Sequence, residues 1–302
     1  MSRKGIAQLV VLWALLLLGT LAMSFAFSMR TEAQASRNGL EGERAYFLAR
    51  TGVERTIALL ASGAADNVVG SPVTGEEEGG TYEVDVMPEN GKIDINHASE
   101  AALKEILRNS GLPEDEAERI GDAILDWRDG DDERRPAGAE EADYASLPAP
   151  IRPRNGRFAS VGELRYVRGI TPEFFTQVLS RVFTVDSGTA GVNVNVAPPE
   201  VLGVLPGFTP DMAARVVERR TEDAFRAPGD VASFLAQGRT GPSPIPLIAG
   251  RATSPVYTIT STGRAEGTVT RVIRCTIAVG GSSNPIKIRR WEDQVPIREE
   301  AG

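Results

Sequence analysis

The chain has 302 residues, with 33 lysines and arginines against 41 acids and a formal net charge of -8. So acidic a body is a poor general partner for nucleic acid, whose affinity comes largely from cationic contacts to phosphate. The one cysteine, Cys275, cannot close an internal disulfide, and the one histidine, His97, excludes a histidine cluster or a zinc site built from several histidines and cysteines.

The N-terminus reads MSRKGIAQLVVLWALLLLGT, and the 24 residues from Ile6 to Met29 carry no charge. As a helix they would cover about 36 Å, enough to span a bilayer. Ser24-Phe25-Ala26 offers a small-x-small cleavage pattern, as a secretory signal would. The apolar run is longer than a signal core of about 7–15 residues, and no linker follows it. Tyr46, Ala49, Val53, Ile57 and Leu60 recur at spacings of 3, 4, 4 and 3, which is one helical face. The pattern predicts one long helix over roughly 6–62, lipid-compatible first and amphipathic after, with Gly39, Gly42 and Gly52 as places to bend. The basic leader puts the N-terminus in the cytoplasm by the positive-inside tendency.

A short basic leader ending in Lys4-Gly5, then this helix, resembles the type IV prepilins and type II secretion pseudopilins. The resemblance implies cleavage by a prepilin peptidase between Gly5 and Ile6 and methylation of the new N-terminal residue. It also implies an inner-membrane, single-pass protein with a periplasmic body. Most pilins carry a glutamate at the fifth mature position; this chain has Val10. In those families the acid is thought to pair with the amine of the subunit assembled before it, since a carboxylate in lipid is costly unless paired. A subunit without that acid suits the filament tip, as in the minor K-type pseudopilin.

After a Gly/Ser/Pro/acid-rich stretch (63–80), Tyr82, Val84 and Val86 alternate with Glu83, Asp85 and Met87, and Asn90-Gly91 signals a hairpin turn. A strand over Val256–Ser261, a turn near Glu266-Gly267, a strand over Val269–Val279 and a weaker one around Ile286–Trp291 close the chain. Between these parts the sequence repeats. INHASEAALKEIL with GLPEDEAERIGDAI is echoed by VNVAPPEVLGVL with GFTPDMAARVVER: Asn96, Ala98 and Leu103 match Asn195, Ala197 and Leu202, and Gly111, Ala117, Arg119 and Ile120 match Gly207, Ala213, Arg215 and Val216. FASVGELRYVRGITPEFF and FRAPGDVASFLAQG read as second hairpins, with Asn96, Ser99 and Thr171-Pro172 as helix starts. The expected fold is α+β: leader 1–5, transmembrane segment 6–29, pilin-like helix and first strands 30–95, a helical insert of repeated hairpins 96–245, and pilin-like strands and tail 246–302. An insert this large within a pilin body resembles the K-type pseudopilins of type II secretion. That resemblance implies a place at the pseudopilus tip, export of folded proteins, and the I- and J-type minor pseudopilins, the major pseudopilin and the prepilin peptidase as partners.

The competing reading is a membrane-anchored DNA receptor, because the hairpins resemble helix-hairpin-helix modules that grip phosphate with a Gly-hydrophobic-Gly turn. Those at Gly111, Gly169 and Gly207 lack the second glycine and place Glu114, Glu173 and Asp211 where phosphate would sit. No nucleic acid partner is therefore expected. Neither is an enzyme: His97 stands alone, Ser160 and Ser233 have no base, and no Gly-x-x-x-x-Gly-Lys-[Ser/Thr] loop occurs.

The densest polar feature is DWRDGDDERRPAGAEEADY, with eight acids from Asp126 to Asp143. From the residues alone it is either a solvated acidic loop or a set of carboxylates converging on a hard cation, with spacing unlike an EF-hand. K-type pseudopilins with a similar W-x-D-x-D…G-A-E…Y stretch bind calcium. Trp127, Asp129, Asp131, Gly138, Ala139, Glu140 and Tyr144 occupy those places, and the resemblance implies calcium held by Asp129, Asp131, Asp132, Glu140 and Asp143.

Overall fold

A computed structural model describes residues 3–147, 149–235, 246–248, 254, 256–266, 269–280, 286–293 and 295. Helix α1 runs unbroken from Arg3 to Ala61. Its side chains from Val10 to Leu40 are exposed, and from Gly42 onward one face is buried: Ala45, Leu48, Ala49, Gly52, Val53, Thr56 and Leu60. That face lies on an antiparallel sheet of order β1-β2-β7-β8-β9, made of Val73–Glu77, Gly80–Pro88, Val256–Ala265, Thr270–Val279 and Ile286–Glu292. Tyr82, Val84, Ile259, Ile273 and Cys275 rise from the sheet to meet it.

Gly52 does not mark a bend. A methyl there would lie 2.5 Å from Ser261 Oγ and 2.7 Å from Val84 Cγ2, and one on Gly263 would collide with the Ala45 carbonyl. The two glycines let helix and sheet approach backbone to backbone. Asn90-Gly91 is not a hairpin turn either. Glu89–Gly91 forms a single 3-10 turn that carries the chain out of the sheet. The hairpin instead joins β2 back to β1 within the Gly/Ser/Pro/acid-rich stretch, Glu77 facing Gly80. The turn expected near Glu266-Gly267 and residues 236–245 fall wholly or partly outside the described residues.

The insert lies between β2 and β7 and has its own core, with Leu103, Ile106, Leu107, Ile124, Leu164, Leu179, Leu202 and Leu205 fully buried. It contains α2 (Glu100–Asn109), α3 (Glu114–Arg128), α4 (Glu141–Ala145), a 3-10 turn (Val161–Tyr166), and a helical stretch from α5 (Pro172–Phe174) through a π turn to α6 (Ser180–Val182). After it come α7 (Pro199–Val204), α8 (Pro210–Glu222) and α9 (Pro228–Leu235). Two parallel two-residue ladders bind the layers: β3 (Ile93–Asp94) with β4 (Phe183–Thr184), and β5 (Val192–Asn193) with β6 (Leu247–Ile248).

The sequence repeat is a structural repeat. Asn96 donates to the Phe158 carbonyl at 3.0 Å and accepts from its N–H at 2.8 Å; Asn195 does the same with Phe225 at 2.8 and 3.0 Å. Arg128 donates to the Ile95 and Ala98 carbonyls, and Arg220 to those of Val194 and Ala197. Asn96 is thus a clamp between distant segments and not a helix start. The cap of α2 is Ser99, whose hydroxyl accepts from Ala102 N–H, and Thr171 caps α5 in the same way.

Candidate functional site: the acidic loop on the insert

Helix α3 buries Ile120, Ile124 and Trp127 and ends at Arg128, so the residues after it must leave the core. The chain returns at α4, where Tyr144 packs edge-on to Trp127 at 5.3 Å; Phe158, further along the chain, stacks on Trp127 at 6.3 Å. This aromatic set fixes both ends of the loop. Its interior is pinned by acids of α3. Asp122 accepts from Ala137 N–H at 3.1 Å, and the fully buried Asp126 accepts from Arg135. Lys104 holds Asp122 at 2.8 Å, with Glu100 and Glu118 around it. Burial works against that ammonium, but the three carboxylates outweigh it and raise its pKa.

Ligand atoms of Asp129, Asp131 and Glu140 lie within 4.8 Å of one another. Glu140 is 6% exposed, and neither of its carboxylate oxygens has a hydrogen-bond partner; Asp129 Oδ1 is likewise buried and unpartnered. A carboxylate shut away from water without a donor is costly unless a charge meets it. Burial, and then the neighbouring Asp126, Asp129, Asp132 and Asp131, push the Glu140 carboxyl up to about 7. The orphaned oxygens of Glu140 and Asp129, with the exposed Asp131 carboxylate beside them, are the donor set a hard divalent cation takes. The residues present therefore fit such an ion.

Asp132 and Asp143, grouped with these three from the sequence, do not join them. Asp132 accepts from Asn155 at 2.8 Å on the rim. Asp143 caps α4 through Glu140 N–H at 3.1 Å and is ion-paired with Arg168 at 3.0 Å and Arg134 at 3.4 Å. The backbone N–H and the two arginines hold its carboxyl below the ordinary range. Asn155, Arg168 and Arg135 were not legible as partners, because only the folded loop brings them to these acids. Gly138 was visible only as a motif letter, yet a methyl on it would overlap Asp126 Oδ2. Gly5 and Ile6 lie within α1, and their side chains are not described. His97 sits in the turn before α2, with Nδ1 3.0 Å from Asp94 Oδ2 and the ring beside Arg157.

A stem long and apolar enough to cross a membrane, a pilin-like antiparallel sheet and a helical insert with a convergent acidic loop define the class: a stem-bearing pilin-like α+β protein. Residues 82–186 match the family described as type II secretion system (T2SS), protein K. Type II secretion system protein K of Pectobacterium carotovorum subsp. carotovorum is 37% identical over 90 residues, covering 30% of this chain and 27% of that protein. The protein of the same name from Dickeya chrysanthemi is 30% identical over 131 residues, covering 42% and 36%. That from Pseudomonas aeruginosa PAO1 is 25% identical over 171 residues, covering 53% and 51%. The alignments thus span between about a quarter and a half of these relatives' lengths. A chain of the GspK-GspI-GspJ complex from the enterotoxigenic Escherichia coli type 2 secretion system superposes with a TM-score of 0.61 at 13% identity, covering 88% of this chain and all of that one, a likeness of fold. The similarity to the type II secretion system protein K family is thus carried by residues 82–186 and by these partial alignments.

Proposed function

We propose that this protein is the minor pseudopilin at the tip of a type II secretion pseudopilus, supporting its assembly and the export of folded proteins from the periplasm. The observation that carries the reading is the division of α1: bare from Val10 to Leu40, then packed onto a sheet that bears the bulky insert. Bare stems can stack side by side, whereas an insert of that size is hard to fit between stacked neighbours. Val10 lacks the acid that would pair with a preceding subunit, which suits a subunit with none before it. The stem would lie in the inner membrane with the N-terminus cytoplasmic and the body periplasmic. Prepilin peptidase would cut after Gly5, and the new terminus would be methylated. The I- and J-type minor pseudopilins, and below them the major pseudopilin, would pack against α1. The role is structural and not enzymatic.

The acidic loop would bind calcium through Asp129, Asp131 and Glu140, with Asp132 and Asp143 as rim and support. A bound calcium would supply the positive charge these oxygens lack; the chain's part is to fix them by the Trp127–Tyr144 packing and the Asp122 and Asp126 anchors. The second reading, a DNA-binding anchor, is disfavoured by Glu114, Asp115 and Glu116 in the first turn of α3, where phosphate would approach. The test is deletion, with affinity capture of the full chain from membranes. Loss of protein secretion and capture of the I- and J-type pseudopilins support the reading. Loss of DNA uptake alone, or a mobility shift of duplex DNA at low salt, would sink it.

A further inference from the structure

The acidic loop carries a cation of its own. Arg135 Nη1 lies 2.7 Å from Asp126 Oδ1 and 2.5 Å from Asp129 Oδ2, and the Arg135 N–H also points at the Asp126 carboxylate, at 3.3 Å from Oδ2. Asp129 is therefore shared. Oδ2 rests on the guanidinium and Oδ1 is buried without a partner, while the same carboxylate offers an atom to the cluster with Asp131 and Glu140. Asp126 has no access to solvent.

We propose that Arg135 is the resident counter-ion of the metal loop: it bridges Asp126 and Asp129 when no metal is bound, and by competing for Asp129 it sets how tightly the loop takes a divalent cation. This rests on the calcium reading above. In the metal-free protein the guanidinium screens the repulsion among Asp126, Asp129, Asp131 and Glu140, so the loop keeps its shape without the ion. When a cation takes Asp129, Arg135 falls back on Asp126, whose buried charge still needs it. The cost of that transfer, and of a positive charge left beside the ion, lowers affinity. The loop is thus tuned to respond to changing calcium instead of holding it permanently.

The experiment compares the full chain in detergent micelles with Arg135→Gln and Arg135→Lys, by calorimetric titration with calcium chloride and by melting in chelator and in calcium. Arg135→Gln should melt lower in chelator, bind calcium roughly tenfold more tightly, and show a larger rise in melting temperature with calcium. Arg135→Lys, which keeps the charge, should stay near the parent. Calcium affinity that is unchanged or weaker in Arg135→Gln overturns the proposal while leaving the calcium reading intact. If the parent chain itself does not bind calcium, both fall. Should Arg135→Gln not fold, Asp126→Asn with Arg135→Gln leaves no unpaired charge at position 126, and tighter calcium binding than in Asp126→Asn alone is then required.

Discussion

Glu140 is held where ionisation is unfavourable, and that makes the loop's stability depend on what sits opposite it. A ligand that binds only the folded state stabilises it by about 2.7 kcal/mol at a hundredfold excess over its Kd. For a chain of this size that corresponds to a rise in Tm of roughly 4–5 °C. Calcium should produce such a rise in the full chain in micelles, and a chelator should reverse it. Asp129→Ala with Asp131→Ala should abolish the response without moving the sheet's signature in circular dichroism. A Tm indifferent to both would reduce the stretch to a solvated loop. Sequence alone shows that carboxylates are dense here but does not rank them. The resemblance puts Asp129, Asp131 and Glu140 first, but the physical reason that sets Asp143 and Asp132 apart, neutralisation by Arg168 and occupation by Asn155, comes from later in the chain.

At the scale of elements, the contact between α1 and the sheet is set by two missing side chains. Gly263→Ala would drive a methyl into the Ala45 carbonyl, and backbone cannot swing away as a flexible side chain does. The expected cost is about 2 kcal/mol or more, read as a lower denaturant midpoint, whereas Gly203→Ala, with open space around it, should cost nothing. The apolar period of α1 and the alternation of β2 and β7 made these elements legible. Strand β1 was hidden because Val73–Glu77 is a short edge strand with a glycine and two glutamates. The duplication in the insert was legible at Asn96 and Asn195, but its arginine staple was not. Arg128 and Arg220 bind equivalent carbonyls from positions one helical turn apart in the repeat alignment. Arg220→Ala should cost about 1–3 kcal/mol by stranding the carbonyls of Val194 and Ala197.

At the scale of the whole molecule, the chain is a body on a stalk. If it matures as a pseudopilin, intact mass and N-terminal sequencing should give a chain that starts at methylated Ile6, and a bulky residue in place of Gly5 should block maturation while leaving membrane insertion intact. A start at Phe27 would mean ordinary signal cleavage, and the tip reading would fail. Between the apolar segment and the sheet, Arg30 to Leu40 is helix exposed on every side, with Gln34 and Asn38 hydrogen-bonded one turn apart at 3.0 Å. A helix without tertiary contacts has only its own local free energy to keep its amide protons from exchange. Hydrogen exchange in the isolated protein should therefore be fast over this neck and slow abruptly between Gly42 and Ala45, where the sheet begins. Gly39 stands inside the neck with nothing near it, so Gly39→Ala should add about 1 kcal/mol of helix propensity and slow exchange there roughly fivefold. Any neighbour that lies along the stalk would be recorded as protection of the same amides, so the rate at which the neck exchanges is a direct gauge of whether the subunit stands alone.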